Sequence, residues 1–266
     1  MKTQVEQVCV DEITMRFFSF GRGKQTLVIL PGLSVQSVML FADDVAAAYA
    51  PLTEAFTIYV FDRRQTLPQT YSVYDMAHDT AKVMAALGLK DVCLFGASQG
   101  GMIAMVLAAQ YPLLVKKLAL GSTAARITPD HAQRLAPWVQ AAREKDGEKL
   151  YLSFGELVYP AAVFQAVRDQ LLSAGKGVSD DEFDRFAVLA GAMNGFDFTA
   201  RLREIRCPVL VLGAKDDAVL GGDASVEIAQ ALEERGDVEL HMYEGCGHAA
   251  YDTAPDYKTR LLRFFQ

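Results

Sequence analysis

The chain has 266 residues, 51% of them hydrophobic, and a formal net charge of -7. That length and apolar content favour one large core with an insertion over two equal domains. The mild acidity, without any dense lysine or arginine run, argues against nucleic acid and anionic membrane surfaces as partners. The four cysteines, Cys9, Cys93, Cys207 and Cys246, include no CxxC pair and read as reduced thiols of a cytoplasmic protein. The N-terminal "MKTQVEQVCVDE" has no apolar segment before its acids, and no later apolar run is long enough to cross a bilayer, so the expectation is a soluble, non-secreted protein.

In chain order, "QVEQVCV" and "ITMRFFSF" alternate apolar and polar residues around Asp11 and Glu12, as a half-exposed antiparallel hairpin does. The runs that follow, "TLVIL", "FTIYVF", "DVCLF", "KLALG", "PVLVLG" and "VELHMY", are continuously apolar, the pattern of parallel strands covered on both faces. Helical periodicity fills the windows Val38–Phe56, Val73–Leu87, Gly100–Gln110, Ala224–Arg235 and Pro255–Phe265. The alternation predicts an α/β fold, a mostly parallel doubly wound sheet of about eight strands. Residues 123–200 break it with helical material punctuated by Pro129, Pro137 and Pro160, which reads as a helical insertion into a core formed by 1–122 and 201–266.

Ligands of open parallel sheets bind at the carboxyl ends of the strands. One such end reads "GASQG", with Ser98 between Gly96 and Gly100 where strand turns to helix. A sharp turn there strains the serine backbone and brings neighbouring backbone too close for side chains, while the helix N-terminus beneath it favours negative charge. The plain alternative is a helix-capping serine.

In that context "GASQG" fits the G-x-S-x-G nucleophile elbow, and the chain resembles the α/β-hydrolase family over nearly its whole length. The "GASQGG" form resembles small carboxylesterases and enol-lactonases. The resemblance implies a serine activated by a histidine that a carboxylate orients. His78 falls in a helical window, His131 in the insertion and His241 in the last strand; His248, in the glycine-punctuated loop "YEGCGHAAYDTAPD", stands where family order puts the base. "PVLVLGAKDDAVLG" offers Asp216 and Asp217 as the acid; the family spacing after the glycine favours Asp216, and Asp217 stays open.

The resemblance further implies an oxyanion hole of backbone amides, from Gln99 after the nucleophile and from Leu33 in "PGLSVQS", with Ser34 as the alternative. Two features depart from the family: Pro31 stands where a histidine is usual, and "DRRQTLPQTYS" lacks the glycine-rich turn after its strand. Arg63 and Arg64 there are read as pairing with Asp62 and Asp79 rather than with substrate. The insertion resembles the family's helical cap, rich in aromatics from Trp138 to Phe198, with Arg126 near its start read as a solvated arginine, an anchor for an anionic substrate being the alternative.

The expected activity is hydrolysis of a small to medium, largely apolar carboxylic ester or lactone through an acyl-serine, with no metal or organic cofactor. The partner is that small molecule, not nucleic acid or membrane, and a homo-oligomer is left open. Ser98 argues against dehalogenase and epoxide hydrolase chemistry, which place aspartate at the elbow. Carbon–carbon bond hydrolases, perhydrolases, acyltransferases and slow-turnover receptors share the serine framework and stay open.

Overall fold

The hairpin comes first: β1 (Val5–Val10) and β2 (Ile13–Gly21) pair antiparallel from Val5↔Phe18 to Val10↔Ile13. The computed structural model describes residues 3–266, so the first two residues of the expected core segment lie outside it. Next comes β3 (Gln25–Leu30). The window Val38–Phe56 is not one helix but a 3-10 turn at Val38–Phe41, the short α1 (Ala42–Ala48) and a second turn at Ala50–Leu52. Pro51 explains the break, since it has no N–H to donate and its ring would strike the carbonyl one turn back.

The remaining elements follow the expected alternation, with helix ends shifted by a few residues. They are β4 (Phe56–Arg64), α2 (Val73–Ala86), β5 (Val92–Ala97), α3 (Gln99–Gln110) and β6 (Val115–Gly121). Four helices then intervene: α4 (Pro129–Arg143), α5 (Gly147–Val158), α6 (Ala161–Gly175) and α7 (Asp180–Gly191). β7 (Val209–Ala214), α8 (Gly222–Leu232), β8 (Val238–Tyr243), α9 (Ala250–Thr253) and α10 (Tyr257–Phe265) complete the chain.

The eight strands form one sheet in the order β1-β2-β4-β3-β5-β6-β7-β8, antiparallel at β1-β2-β4 and parallel from β4 onward. β5 and β7 are buried at every residue, as their continuous apolar runs require. Burying one such side chain, Leu94 for example, contributes about 1.5–3 kcal/mol relative to exposure. One face of the sheet packs with α2, α3, α8 and the inserted helices, through Met84, Ile103, Ile228 and Trp138 among others. The other packs with α1 and α10, through Ala42, Tyr257 and Leu261. Where the insertion leaves and rejoins the core, its ends pair as a short antiparallel bridge at Arg126 and Asp197, flanked by Ile127 N–H to Phe196 O (2.8 Å) and Phe198 N–H to Ala125 O (2.7 Å). Among the described residues no helix is long and apolar enough to cross a membrane.

Candidate active site

Sheet order locates the site. From β3 the chain moves to β4 on one side, with α1 on one face; it then crosses by α2 on the opposite face to β5, which pairs with β3 on the other side. The loops leaving β3 and β5 therefore diverge at their carboxyl ends, which is where an open parallel sheet forms a ligand crevice. Leu30 pairs with Gly96, which brings the two loops face to face; a Cβ on Gly32 would stand 3.2 Å from the Cβ of Ser98.

Ser98 sits at φ 51°, ψ -122°. For a residue with a side chain this costs on the order of 1–3 kcal/mol and persists only when the surroundings enforce it. They do so here from four sides. Ser98 N–H donates to Gly121 O (2.8 Å), and Ser98 O accepts from Gly101 N (2.8 Å), Met102 N (3.2 Å) and the Thr123 hydroxyl (2.7 Å). The flanking glycines are steric necessities, because a Cβ at Gly96 would run into the backbone of Gly100 and one at Gly100 into the Leu30 carbonyl.

Ser98 occupies the N-cap position of α3, yet its side chain makes no capping bond. Ser72, Thr128 and Ser179, the caps of α2, α4 and α7, all accept from the third residue of their helices. The capping reading of Ser98 is thereby set aside: its hydroxyl is uncommitted beside the positive end of a helix whose leading N–H groups, Gln99 first, have no intrahelical acceptor.

His248 follows β8 in a turn where Gly247 has φ 63°. Its Nδ1 lies 2.8 Å from Asp217 Oδ2, with both side chains almost wholly buried. This corrects the choice of Asp216. The turn after β7 directs the Asp217 side chain inward, where Oδ1 accepts from Val219 N (2.8 Å) and Leu220 N (2.9 Å); Asp216 is exposed and accepts from Gly247 N (3.0 Å). Burial alone would raise the Asp217 carboxyl, but the His248 imidazole and the two amides outweigh it and hold the group below the usual carboxylate range. A carboxylate only accepts, so Nδ1 donates the proton and Nε2 keeps the free lone pair.

Ser98 and His248 line one cavity. Its other walls are Gly32, Leu33 and Met102 from the core, Val219 and Leu220 from the loop after β7, Tyr251 from α9, and Leu135, Trp138, Phe154, Val158 and Met193 from the helical segment between β6 and β7. The space is about 20 Å³, enough for about one water. Leu33 faces it, whereas Ser34 is exposed and does not, which favours Leu33 in the loop after β3. Gln99 is fully buried at the start of α3. A larger cleft of about 350 Å³, lined by Arg203, Arg206 and Arg235, lies at the opposite, amino ends of β7 and β8; there Arg235 is engaged with the carbonyls of Ile205, Arg206 and Cys207.

The other histidines have structural partners. His78 meets the Tyr111 hydroxyl (2.7 Å), His131 completes the capping box of α4, and His241 packs edge-on against Tyr243. Arg64 donates to Glu12 O and pairs with Asp79 at 3.6 Å, and exposed Arg126 pairs with Glu227 at 3.4 Å. Arg63 does not pair as expected: Asp62 takes Arg185 of α7 instead, and the Arg63 side chain donates to Pro31 O and Gln99 Oε1. The sequence carried no sign of this contact, which joins three segments remote along the chain.

Residues 27–257 match the model of the alpha/beta hydrolase family. A putative carbamate hydrolase RutD of Agrobacterium fabrum is 30% identical over 224 residues, 80% of this chain and 84% of that protein. Among solved structures, an alpha/beta hydrolase enzyme from a Medee basin deep-sea metagenome library superposes with a TM-score of 0.85 at 18% identity, covering 98% of this chain and 97% of that one. The enol-lactonase from Burkholderia xenovorans LB400 does so with 0.80 at 20%, covering 97% and 99%. At such identities the likeness to both is one of fold. The sheet order, the strained turn at Ser98 and the match spanning most of the sequence agree that this chain belongs to the alpha/beta hydrolase family.

Proposed function

We propose that this hydrolase cleaves a small to medium, largely apolar carboxylic ester or lactone through an acyl-serine intermediate, beneath a cap formed by residues 123–200. One observation carries the reading: an uncapped serine hydroxyl, held in a strained turn, lines the same cavity as an imidazole whose Nδ1 is bound to a buried carboxylate. In this scheme His248 takes the Ser98 proton through Nε2 as Oγ attacks the carbonyl carbon, while Asp217 stabilises the imidazolium. The backbone amides of Leu33 and Gln99 meet the oxyanion, each worth roughly 3 kcal/mol. The alcohol leaves with the proton from His248, and a water activated by the same ring releases the acid.

The lining supports an uncharged, apolar substrate, since among the described residues that face the cavity there is no lysine or arginine. A carbamate is the second reading, favoured by the relative of that name that aligns over 80% of the chain. The four free thiols support a cytoplasmic setting.

An acyl-length series of p-nitrophenyl esters, with lactones and aryl carbamates as further arms, tests these readings on the parent and on Ser98→Ala. Turnover should fall by on the order of 10⁴-fold or more in Ser98→Ala and should depend on acyl length in the parent. Full turnover by Ser98→Ala overturns the serine mechanism, and a flat length response overturns the apolar pocket. Faster turnover of carbamates than of matched esters selects the second reading. A burst followed by near-zero steady turnover points to a receptor instead.

A further inference from the structure

Arg63, the penultimate residue of β4, is 5% exposed and does not line the cavity. Its Nη2 donates to Pro31 O at 2.7 Å and to Gln99 Oε1 at 3.3 Å. These acceptors belong to the two loops that diverge at the crevice. The Pro31 carbonyl belongs to the peptide immediately before the one that carries the Leu33 amide, and Gln99 supplies the other amide assigned to the oxyanion. A single guanidinium thus spans both halves of the proposed hole from behind.

The chain of bonds continues into the insertion. Gln99 Nε2 donates to Leu189 O at 2.7 Å, in the last turn of α7, where helix carbonyls lack intrahelical donors. Arg185 of the same helix donates to the carbonyls of Arg63 (3.1 Å) and Arg64 (2.7 Å). Packing alone does not account for the guanidinium. Its Nε is buried without an acceptor, and an apolar side chain of similar length would fill the space without desolvating a charge.

We infer that Arg63 is a positioning residue, fixing the spacing of the Leu33 and Gln99 amides and tying both, through the Gln99 side chain, to helix α7 of the insertion. The inference rests on the acyl-serine reading above. It distinguishes two parts of Gln99, whose amide meets the oxyanion while its side chain carries the tie.

The test compares the parent with Arg63→Met, Arg63→Lys and Gln99→Met. It reads kcat and KM on p-nitrophenyl butyrate, the rate of fluorophosphonate labelling, and the melting temperature. Arg63→Met should lose roughly ten- to hundred-fold in kcat, the scale of sub-ångström misplacement of catalytic groups. KM should stay close to parental and labelling should slow in step with kcat. Arg63→Lys, able to keep one bond, should fall between, and Gln99→Met should move the same way by less. Parental kcat and labelling in folded Arg63→Met, or a loss confined to KM or melting temperature, overturns the inference. Should Arg63→Met not fold, Gln99→Met decides, and parental kcat there overturns it. A parent that fluorophosphonate does not label at Ser98 removes the acyl-serine reading and this inference together; a labelled parent with unaffected variants removes this inference alone.

Discussion

Asp216 and Asp217 are adjacent, alike in chemistry and opposite in consequence. The turn after β7 sends one carboxylate to solvent and the other to His248 Nδ1. Asp217→Asn should therefore cut kcat by about 10⁴-fold by disfavouring the productive tautomer, while Asp216→Asn, whose amide oxygen can still accept from Gly247 N, should stay within about threefold. Steady-state kinetics on one ester settles it, and equal losses would contradict the assignment. The positions of Ser98 at a strand-to-helix turn and of His248 in the loop after the last strand were legible in the sequence because glycine punctuation marks both. The carboxylate that meets His248 was legible only to within one residue, because neighbours in a turn differ by a backbone rotation that no periodicity records. Arg63 was legible as a residue that makes bonds within the protein but not in its partners, since Pro31 and Gln99 meet it only once three strands have stacked in their spatial order.

At the level of elements, the insertion supplies one side of the cavity, with Trp138 of α4 and Phe154 of α5 in contact at 4.6 Å between ring centroids. Trp138 is 3% exposed and its Nε1 donates to Ser153 O. Trp138→Ala should shift the preferred acyl chain to longer members of the series; the lost burial should also cost about 3–5 kcal/mol of stability, measurable by urea unfolding. An unchanged chain-length optimum would show that the indole does not bound the acyl site. Gly100→Ala should be harsher than an ordinary helix substitution, because the added methyl meets the Leu30 carbonyl and must displace α3 from β3; loss of soluble folded protein, read by circular dichroism, is the expected outcome. The buried strands were readable because parallel strands covered on both faces are apolar throughout. The window at Val38–Phe56 was misread because alternating apolar positions survive in 3-10 turns, and only Pro51 marked the interruption.

Across the whole molecule, pH acts on the fold most clearly through Asp217. Its folded carboxyl ionises more readily than in the unfolded chain, so its contribution to stability is fully present above about pH 4, the unfolded value, and fades as pH drops through the lower folded one. The stability deficit of Asp217→Asn in urea melts should accordingly shrink as pH falls below about 4; a deficit that keeps its size down to about pH 2 would contradict a carboxylate ionised in the fold. The overall architecture was readable from the alternation of strand and helix, whereas the place of the crevice follows from strand order, which becomes definite only when β5 pairs with β3 rather than with β4. One last consequence follows from the bridge at Arg126 and Asp197. The insertion departs and re-enters at neighbouring points, so its length and sequence can be exchanged without re-routing the sheet. Recombination that replaces these helices while keeping that bridge would change which side chains wall the cavity, provided the new segment supplies the acceptor for Gln99 that Leu189 O supplies here.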